Sequence, residues 1–118
     1  MRKRLENAPV INQIIDKNSA FVIIKERLNY YSSLTGIKYN EFKLTTPKKR
    51  WGSCNSKGNI CINGKLGAAP QDIIDYVVVH ELAHILEHNH SKRFWCQVAR
   101  ILPDFKSRKN WLKRYFIL

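Results

Sequence analysis

Two histidines four residues apart, His80 and His84, have the side-chain type and spacing that point most directly to chemistry. On a helix they lie on one face, roughly 6 Å apart along the axis, so both imidazoles can reach one tetrahedral Zn²⁺ ion. Glu81 lies about 100° round the same helix, where it can act on a zinc-held water without ligating the metal. This arrangement is typical of zinc hydrolases, with the glutamate as general base.

The residues around this motif predict a buried helix. The apolar run Tyr76–Val79 precedes it, and the two variable positions inside it are also apolar and compatible with a helix. Pro70 is a favourable first residue for that helix. The side chains expected to face the core, opposite the histidines, are Ile74, Val78, Leu82 and Ile85.

Two histidines that follow His84 in the chain, His88 and His90, are candidates for the third metal ligand. His88 continues the four-residue spacing but would lie about 12 Å from His80 along a straight helix, too far for one ion. His90 can turn back only if the chain leaves the helix near His88 or Asn89, and asparagine tolerates the left-handed conformation that ends helices. We therefore prefer His90, with His88 or a distant glutamate as the alternatives.

Length and composition allow a single domain, residues 1–118. The chain has 21 basic and 9 acidic residues and a formal net charge of +12, which favours association with acidic partners but does not specify the fold. It contains no apolar run of the ~20 residues that span a membrane, and its N-terminus lacks the apolar centre of a signal peptide. We expect a cytoplasmic protein that does not contact membranes.

The three cysteines are Cys54, Cys61 and Cys96, an odd number without a Cys-x-x-Cys pair. This pattern argues against a disulfide framework and against a zinc ribbon. If Lys57 and Gly58 formed a two-residue hairpin turn, Cys54 and Cys61 would lie directly opposite each other. We favour two partly buried, unpaired cysteines.

The periodicity of apolar residues predicts an α+β fold, a small β-sheet flanked by helices with the motif helix at its centre. The helix at 19–34 should be capped by Asn18 or Ser19 and stopped by Gly36. The other predicted helices, besides the motif helix, are residues 8–16, 92–102 and 105–116, and the predicted strands are Tyr39–Thr45, Trp51–Cys54 and Gly58–Asn63.

An ordered series of short motifs carries a family resemblance. The chain resembles the small metal-dependent hydrolases related to the SprT-like and Wss1-like peptidases, and in size it resembles the archaeal minigluzincins and selecase. The resemblance covers about residues 45–115. The motifs are Trp51-Gly52-Ser53-Cys54, the strand 58–63, Tyr76 to His84, Asn89-His90-Ser91, Phe94-Trp95, Pro103-Asp104 and Trp111-Leu112.

The resemblance implies a zincin-like endopeptidase that binds one Zn²⁺ through His80, His84 and His90, with Glu81 as the catalytic residue. Its substrate would be a peptide or protein. The strand containing Asn59, Ile60, Cys61 and Ile62 is the candidate rim of the cleft, where an extended substrate could pair as an added strand. Tyr76, one turn before His80, is a candidate for stabilising the oxyanion or simply a core residue.

Other functions stay open from sequence alone. The chain could be a non-catalytic or latent zinc-binding module, and the apolar end 115–118 could dock into a second copy and block its active site. Basic residues before Trp51 and along the last predicted helix also allow DNA binding. We favour a solvated basic surface over a DNA-binding one.

Overall fold

The computed structural model describes residues 15–45 and 50–116. The chain forms an α+β fold, as predicted, and the helix expected at 8–16 falls outside the described residues except for its last two, which are not helical. The elements are, in chain order, α1 (Lys17–Thr35), β1 (Phe42–Thr45), β2 (Gly52–Cys54), β3 (Ile60–Asn63), a short 3-10 helix (Gly64–Ala68), α2 (Gln71–Leu86), α3 (Lys92–Ile101) and α4 (Phe105–Tyr115).

Helix α1 begins two residues before its predicted start. Its cap is Asp16, whose carboxylate accepts a hydrogen bond of 2.9 Å from the backbone N–H of Ser19. The predicted end is confirmed, because Gly36 adopts the left-handed conformation (φ 78°) and donates its N–H to Ser32. The buried face of α1 consists of Ala20, Ile24, Leu28 and Tyr31.

The three strands of the described residues form one mixed sheet with β3 in the middle. Strand β1 runs parallel to β3 on one side, and β2 runs antiparallel to β3 on the other side. Ile60 and Ile62 of β3 are buried in the core. Strand β3 is thus hydrogen-bonded to a neighbouring strand on both sides, and β1 and β2 are the edge strands.

The connection from β2 to β3 is longer than the two-residue turn considered above. Asn55 donates its N–H to the carbonyl of Asn59, and Gly58 within the loop has a φ of 80° that favours glycine. This loop pairs Cys54 with Ile60, so that Cys54 and Cys61 are not opposite each other. Both thiols are free, and the favoured interpretation of unpaired, partly buried cysteines is confirmed.

Helix α2 is the centre of the molecule and packs against α1, α3, α4, β2 and β3. It is buried on nearly all sides, since every residue of Ile73–Val79 is buried. Pro70 lies just outside the helix as its cap and accepts the first backbone hydrogen bonds through its carbonyl. The sequence predicted that only the side of this helix opposite the histidines faces the core. The buried surface is larger than that, because elements distant in sequence surround the helix.

The two C-terminal helices close the core behind α2. Ser91 caps α3 by accepting a hydrogen bond from the N–H of Phe94, whereas Asp104 makes no cap bond to α4 and pairs with Arg108. Phe116 folds back and stacks on Trp51, with 4.6 Å between ring centroids. In the described part of the chain, no helix combines the length and apolar character needed to cross a membrane.

Candidate metal centre

Helix α2 carries three of the predicted site residues within one turn and a half. His80 and His84 project from the same face, and Glu81 lies beside them with only 4% of its surface exposed. The ring centroids of the two histidines are 4.9 Å apart. This proximity follows directly from the four-residue spacing on a straight helix.

The segment after α2 returns His90 to the same point. The helix ends at Leu86, earlier than expected, because Glu87 adopts an extended conformation (φ −138°, ψ 108°). Asn89 is not left-handed, since the described residues contain no positive φ outside glycine. The predicted return of His90 therefore occurs by an extended step at Glu87, and the left-handed asparagine was wrong.

The three histidines present one nitrogen each to a common point. His90 Nε2 lies 3.1 Å from His80 Nε2 and 3.1 Å from His84 Nε2. Tetrahedral zinc with Zn–N bonds of about 2.0–2.1 Å separates its nitrogen ligands by about 3.3 Å. The donor set and its spacing therefore fit one zinc ion, and these three form the only such group among residues 15–45 and 50–116.

The second nitrogens of two of these rings have partners that orient them. His84 Nδ1 lies 3.0 Å from the backbone carbonyl of Glu87, to which it can donate its proton. His80 Nδ1 lies 3.4 Å from the hydroxyl of Tyr76, a buried residue. Both contacts leave Nε2 free for a metal, which is the usual support for a ligating histidine. Tyr76 thus contacts the nitrogen of His80 that does not face the other two histidines, and its candidate role at the oxyanion stays a prediction.

The surroundings keep the two helical histidines neutral, the form that ligates metal. Burial, followed by the nearby histidines and Lys109, lowers the pKa of His80 to about 3. Burial also lowers the pKa of His84. Phe94 of α3 contributes to this environment, since its ring stacks on His84 with 4.3 Å between centroids.

Glu81 is a buried carboxylate poised for proton transfer. Burial raises its pKa to about 8, and the charge of Arg50 opposes this rise. Its Oε1 is buried and has no hydrogen-bond partner among the described residues. A carboxyl group with a pKa near neutrality can both accept and return a proton.

Gly52 of β2 makes room for this carboxylate. A Cβ at this position would lie 2.8 Å from Glu81 Oε2 and 3.0 Å from the backbone oxygen of Cys61. A side chain here would therefore push the Glu81 carboxylate aside and press on the backbone oxygen of Cys61, so glycine suits this close approach of β2 to α2. Sequence reasoning included Gly52 in a motif without recognising this role, because the contact joins residues 29 positions apart.

Residues 4–115 match the family model described as YgjP-like, metallopeptidase domain. This covers nearly the whole chain and includes all four residues of the centre. The chain belongs to the YgjP-like metallopeptidase domain family. The predicted resemblance to small zinc metallopeptidases is thereby confirmed, and the family supports a metal-dependent hydrolase.

Comparison with solved structures confirms the fold of this YgjP-like domain. It superposes on the metallopeptidase zymogen abylysin of Pyrococcus abyssi with a TM-score of 0.67 and 21% identity, covering 77% of this chain and 90% of that one. The zymogen jannalysin of Methanocaldococcus jannaschii gives a TM-score of 0.68 and 17% identity, with 80% and 97% covered. At these identities the likeness concerns the fold alone.

A curated relative has a different kind of name. The Escherichia coli (strain K12) protein named UTP pyrophosphatase is 27% identical over 101 residues. The alignment covers 86% of this chain but 53% of the relative, so the YgjP-like domain here spans about half the length of that protein.

The remaining predicted site residues lie apart from the centre or in a different role. His88 is exposed and outside the histidine group. The expectation of a free strand edge at Asn59, Ile60, Cys61 and Ile62 is wrong, because β3 is paired on both sides. A substrate contact by these four residues stays a prediction that has lost its backbone argument.

Proposed function

We propose that this protein is a zinc-dependent endopeptidase, in which the three histidines hold one zinc ion and Glu81 is the general base. The observation that carries the proposal is the convergence of three imidazole nitrogens beside a buried carboxyl group whose Oε1 has no hydrogen-bond partner among the described residues. Membership of a metallopeptidase family supports the same reaction class. The histidines are His80, His84 and His90.

Each residue of the centre has a separate role in the proposed reaction. A bound zinc ion supplies a Lewis acid that acidifies water and polarises a carbonyl group. Glu81 takes the proton of the attacking water and returns it to the leaving nitrogen. Tyr76 and the carbonyl of Glu87 orient the histidine rings through Nδ1. The buried setting keeps the proton on Glu81 between the two transfers.

The outer edge of β2 is the place where we propose that substrate binds. Trp51 and Asn55 direct backbone groups towards β3, through bonds of 2.8 Å to Asn63 and 3.1 Å to Asn59. By the alternation of an antiparallel ladder, the backbone groups of Gly52 and Cys54 point away from β3. An extended peptide could pair with them and pass beside Glu81.

The decisive test measures zinc content and peptidase activity on the same samples. Glu81→Ala should keep stoichiometric zinc and lose activity by about 10²–10⁴-fold, the usual contribution of a general base. His80→Ala should lose both zinc and activity. His88→Ala is the matched control and should keep both, because His88 lies outside the group. An active Glu81→Ala protein would disprove the mechanism.

The same test separates the enzyme from a latent or non-catalytic zinc module. Activity that falls as protein concentration rises would indicate that a second copy blocks the site. Zinc without activity at any dilution would favour the binding module. We expect the specific activity to stay constant as protein concentration changes. Phe116, part of the apolar C-terminal end, is buried and stacks on Trp51 of the same molecule.

A second candidate function is hydrolysis of a nucleoside triphosphate. It is favoured by the 27% identical relative named UTP pyrophosphatase. A general base beside a metal can also direct water at a phosphorus atom. Release of inorganic pyrophosphate from UTP by the wild type, but not by Glu81→Ala, would support this candidate over peptide hydrolysis.

A further inference from the structure

A lysine of α4 lies at the side of the histidine group. The Nζ of Lys109 is 4.4 Å from the centroid of the Trp95 ring. That ring in turn contacts His80, at 5.7 Å between centroids, and His90, at 6.0 Å. Burial is the main cause that lowers the pKa of His80, and the charge of Lys109 adds a smaller effect in the same direction. Trp95 therefore contacts both this cation and two of the metal-binding histidines.

This cation has no carboxylate partner among residues 15–45 and 50–116. The two ion pairs formed within these residues join Arg27 to Asp75 and Arg108 to Asp104. Arg108, the neighbour of Lys109, is further engaged by the backbone carbonyl of Asp72. Lys109 is half-buried and meets an aromatic face instead of an anion. Its positive charge is available to a ligand.

The charge balance of the centre favours a negatively charged ligand. Three imidazole ligands leave the two positive charges of a divalent ion without a carboxylate or thiolate ligand among residues 15–45 and 50–116. Lys109 adds a positive charge on the side of His80, and Arg50 adds another near Glu81. A site with this excess of positive charge attracts anions strongly. Glu81 alone cannot balance these charges.

We propose that Lys109, held on Trp95, is a specificity-determining residue that binds a phosphate group of the substrate beside the histidine group. The inference rests on the proposed metal at that group and deepens the nucleotide-hydrolysing candidate. A phosphate group carries several acceptor oxygens, so it can contact an ammonium and a metal ion at the same time. A phosphate monoester carries a charge of about −1.5 to −2 at neutral pH against −1 for a carboxylate, so it balances the charges of Lys109 and a divalent ion better.

The test titrates the zinc-loaded protein with inorganic phosphate at constant ionic strength, by calorimetry. Lys109→Gln should bind phosphate at least about tenfold more weakly than the wild type, as expected for loss of a charged hydrogen bond. Lys113→Gln removes the same charge from an exposed position of α4 and should bind as the wild type does. Equal binding by both variants, equal weakening, or no binding to the wild type would overturn the proposal.

A second measurement needs no variant. Acetylation of wild-type lysines, followed by mass spectrometry, should show that phosphate protects Lys109 and leaves Lys113 reactive. Glutarate serves as the comparison for an acidic peptide. Protection by glutarate equal to that by phosphate, or no protection of Lys109, would reject a phosphate subsite.

Zinc content and peptide cleavage are recorded on the same samples. A protein that binds phosphate through Lys109 but cleaves no peptide contradicts the peptidase proposal alone. A protein that cleaves peptides but binds no phosphate contradicts the Lys109 proposal alone. Lack of zinc in the wild type contradicts both, because each depends on the metal.

Discussion

Gly52 is the residue that allows strand β2 to lie against the carboxylate of Glu81. A methyl group here would meet both a side-chain oxygen at 2.8 Å and a backbone oxygen at 3.0 Å. The side-chain oxygen can move aside, but the backbone oxygen of Cys61 belongs to the central strand and cannot easily do so. A larger residue would therefore displace the carboxylate from its position beside the histidines.

We predict that Gly52→Ala keeps zinc but lowers kcat/KM by about tenfold or more, because misplacement of a reacting group by a fraction of an ångström is costly. Gly64→Ala is the control, since its added methyl would meet only Leu44 at 3.7 Å. Zinc analysis and peptidase kinetics of both variants check this. Full activity in Gly52→Ala would show that the close approach is unimportant.

Helix α2 is held to α1 by a partly buried cluster at the opposite end from the histidines. Asp75 accepts hydrogen bonds of 2.7 and 3.1 Å from the guanidinium of Arg27 and one of 3.0 Å from the hydroxyl of Tyr31. The cluster satisfies a carboxylate that would be costly to bury alone. It fixes how the metal-bearing helix lies on the N-terminal helix.

We predict that Tyr31→Phe lowers the free energy of unfolding by about 0.5–1.5 kcal/mol, the usual loss for one hydrogen bond. Activity per folded molecule should not change, because the cluster is remote from the histidines. Tyr30→Phe is the matched control, since that ring is 50% exposed, and it should be neutral. Urea unfolding of the three proteins measures the difference. Equal stability of Tyr31→Phe and wild type would contradict a stabilising role for this bond.

At the scale of the whole molecule, the metal centre makes stability depend on pH in two opposite ways. Folding raises the pKa of Glu81 from 4.5 to about 8, so its contribution to stability falls as pH rises through that interval. Folding lowers the pKa of His80 from 6.5 to about 3, so its contribution is lost as pH falls below 6.5. Above pH 6.5 His80 is neutral in both the folded and the unfolded protein. Of these two residues, only Glu81 then still makes stability change with pH.

We predict for the metal-free proteins that the free energy of unfolding of Glu81→Gln, relative to that of wild type, increases from pH 5 to pH 8 by up to a few kcal/mol. The glutamine cannot ionise, so it avoids the cost of a buried charge. Glu26→Gln, at an exposed position, is the control that removes a carboxyl group from the surface and not from the interior. Denaturant unfolding with chelator present measures this. A pH-independent difference for Glu81→Gln would contradict the raised pKa.

Some of the fold and the site could be predicted because the relevant information is local. A four-residue spacing places His80 and His84 together on any helix, and Gly36 ends α1 because it reaches the left-handed conformation freely. Ser91 likewise caps α3, because its hydroxyl accepts a hydrogen bond from the N–H of Phe94, three residues later. These features involve residues only a few positions apart, so the sequence alone specifies them.

The tertiary structure decided what depends on residues far apart in the chain. It placed β3 in the centre of the sheet, which removes the expected free edge, because strand order follows from packing rather than from the pattern of a single strand. It also brought Gly52 to Glu81 and Lys109 to Trp95. The sequence by itself determined the histidines and the glutamate of the candidate centre. Only the folded chain determined what surrounds them, because close approach between distant segments is a property of the packed molecule.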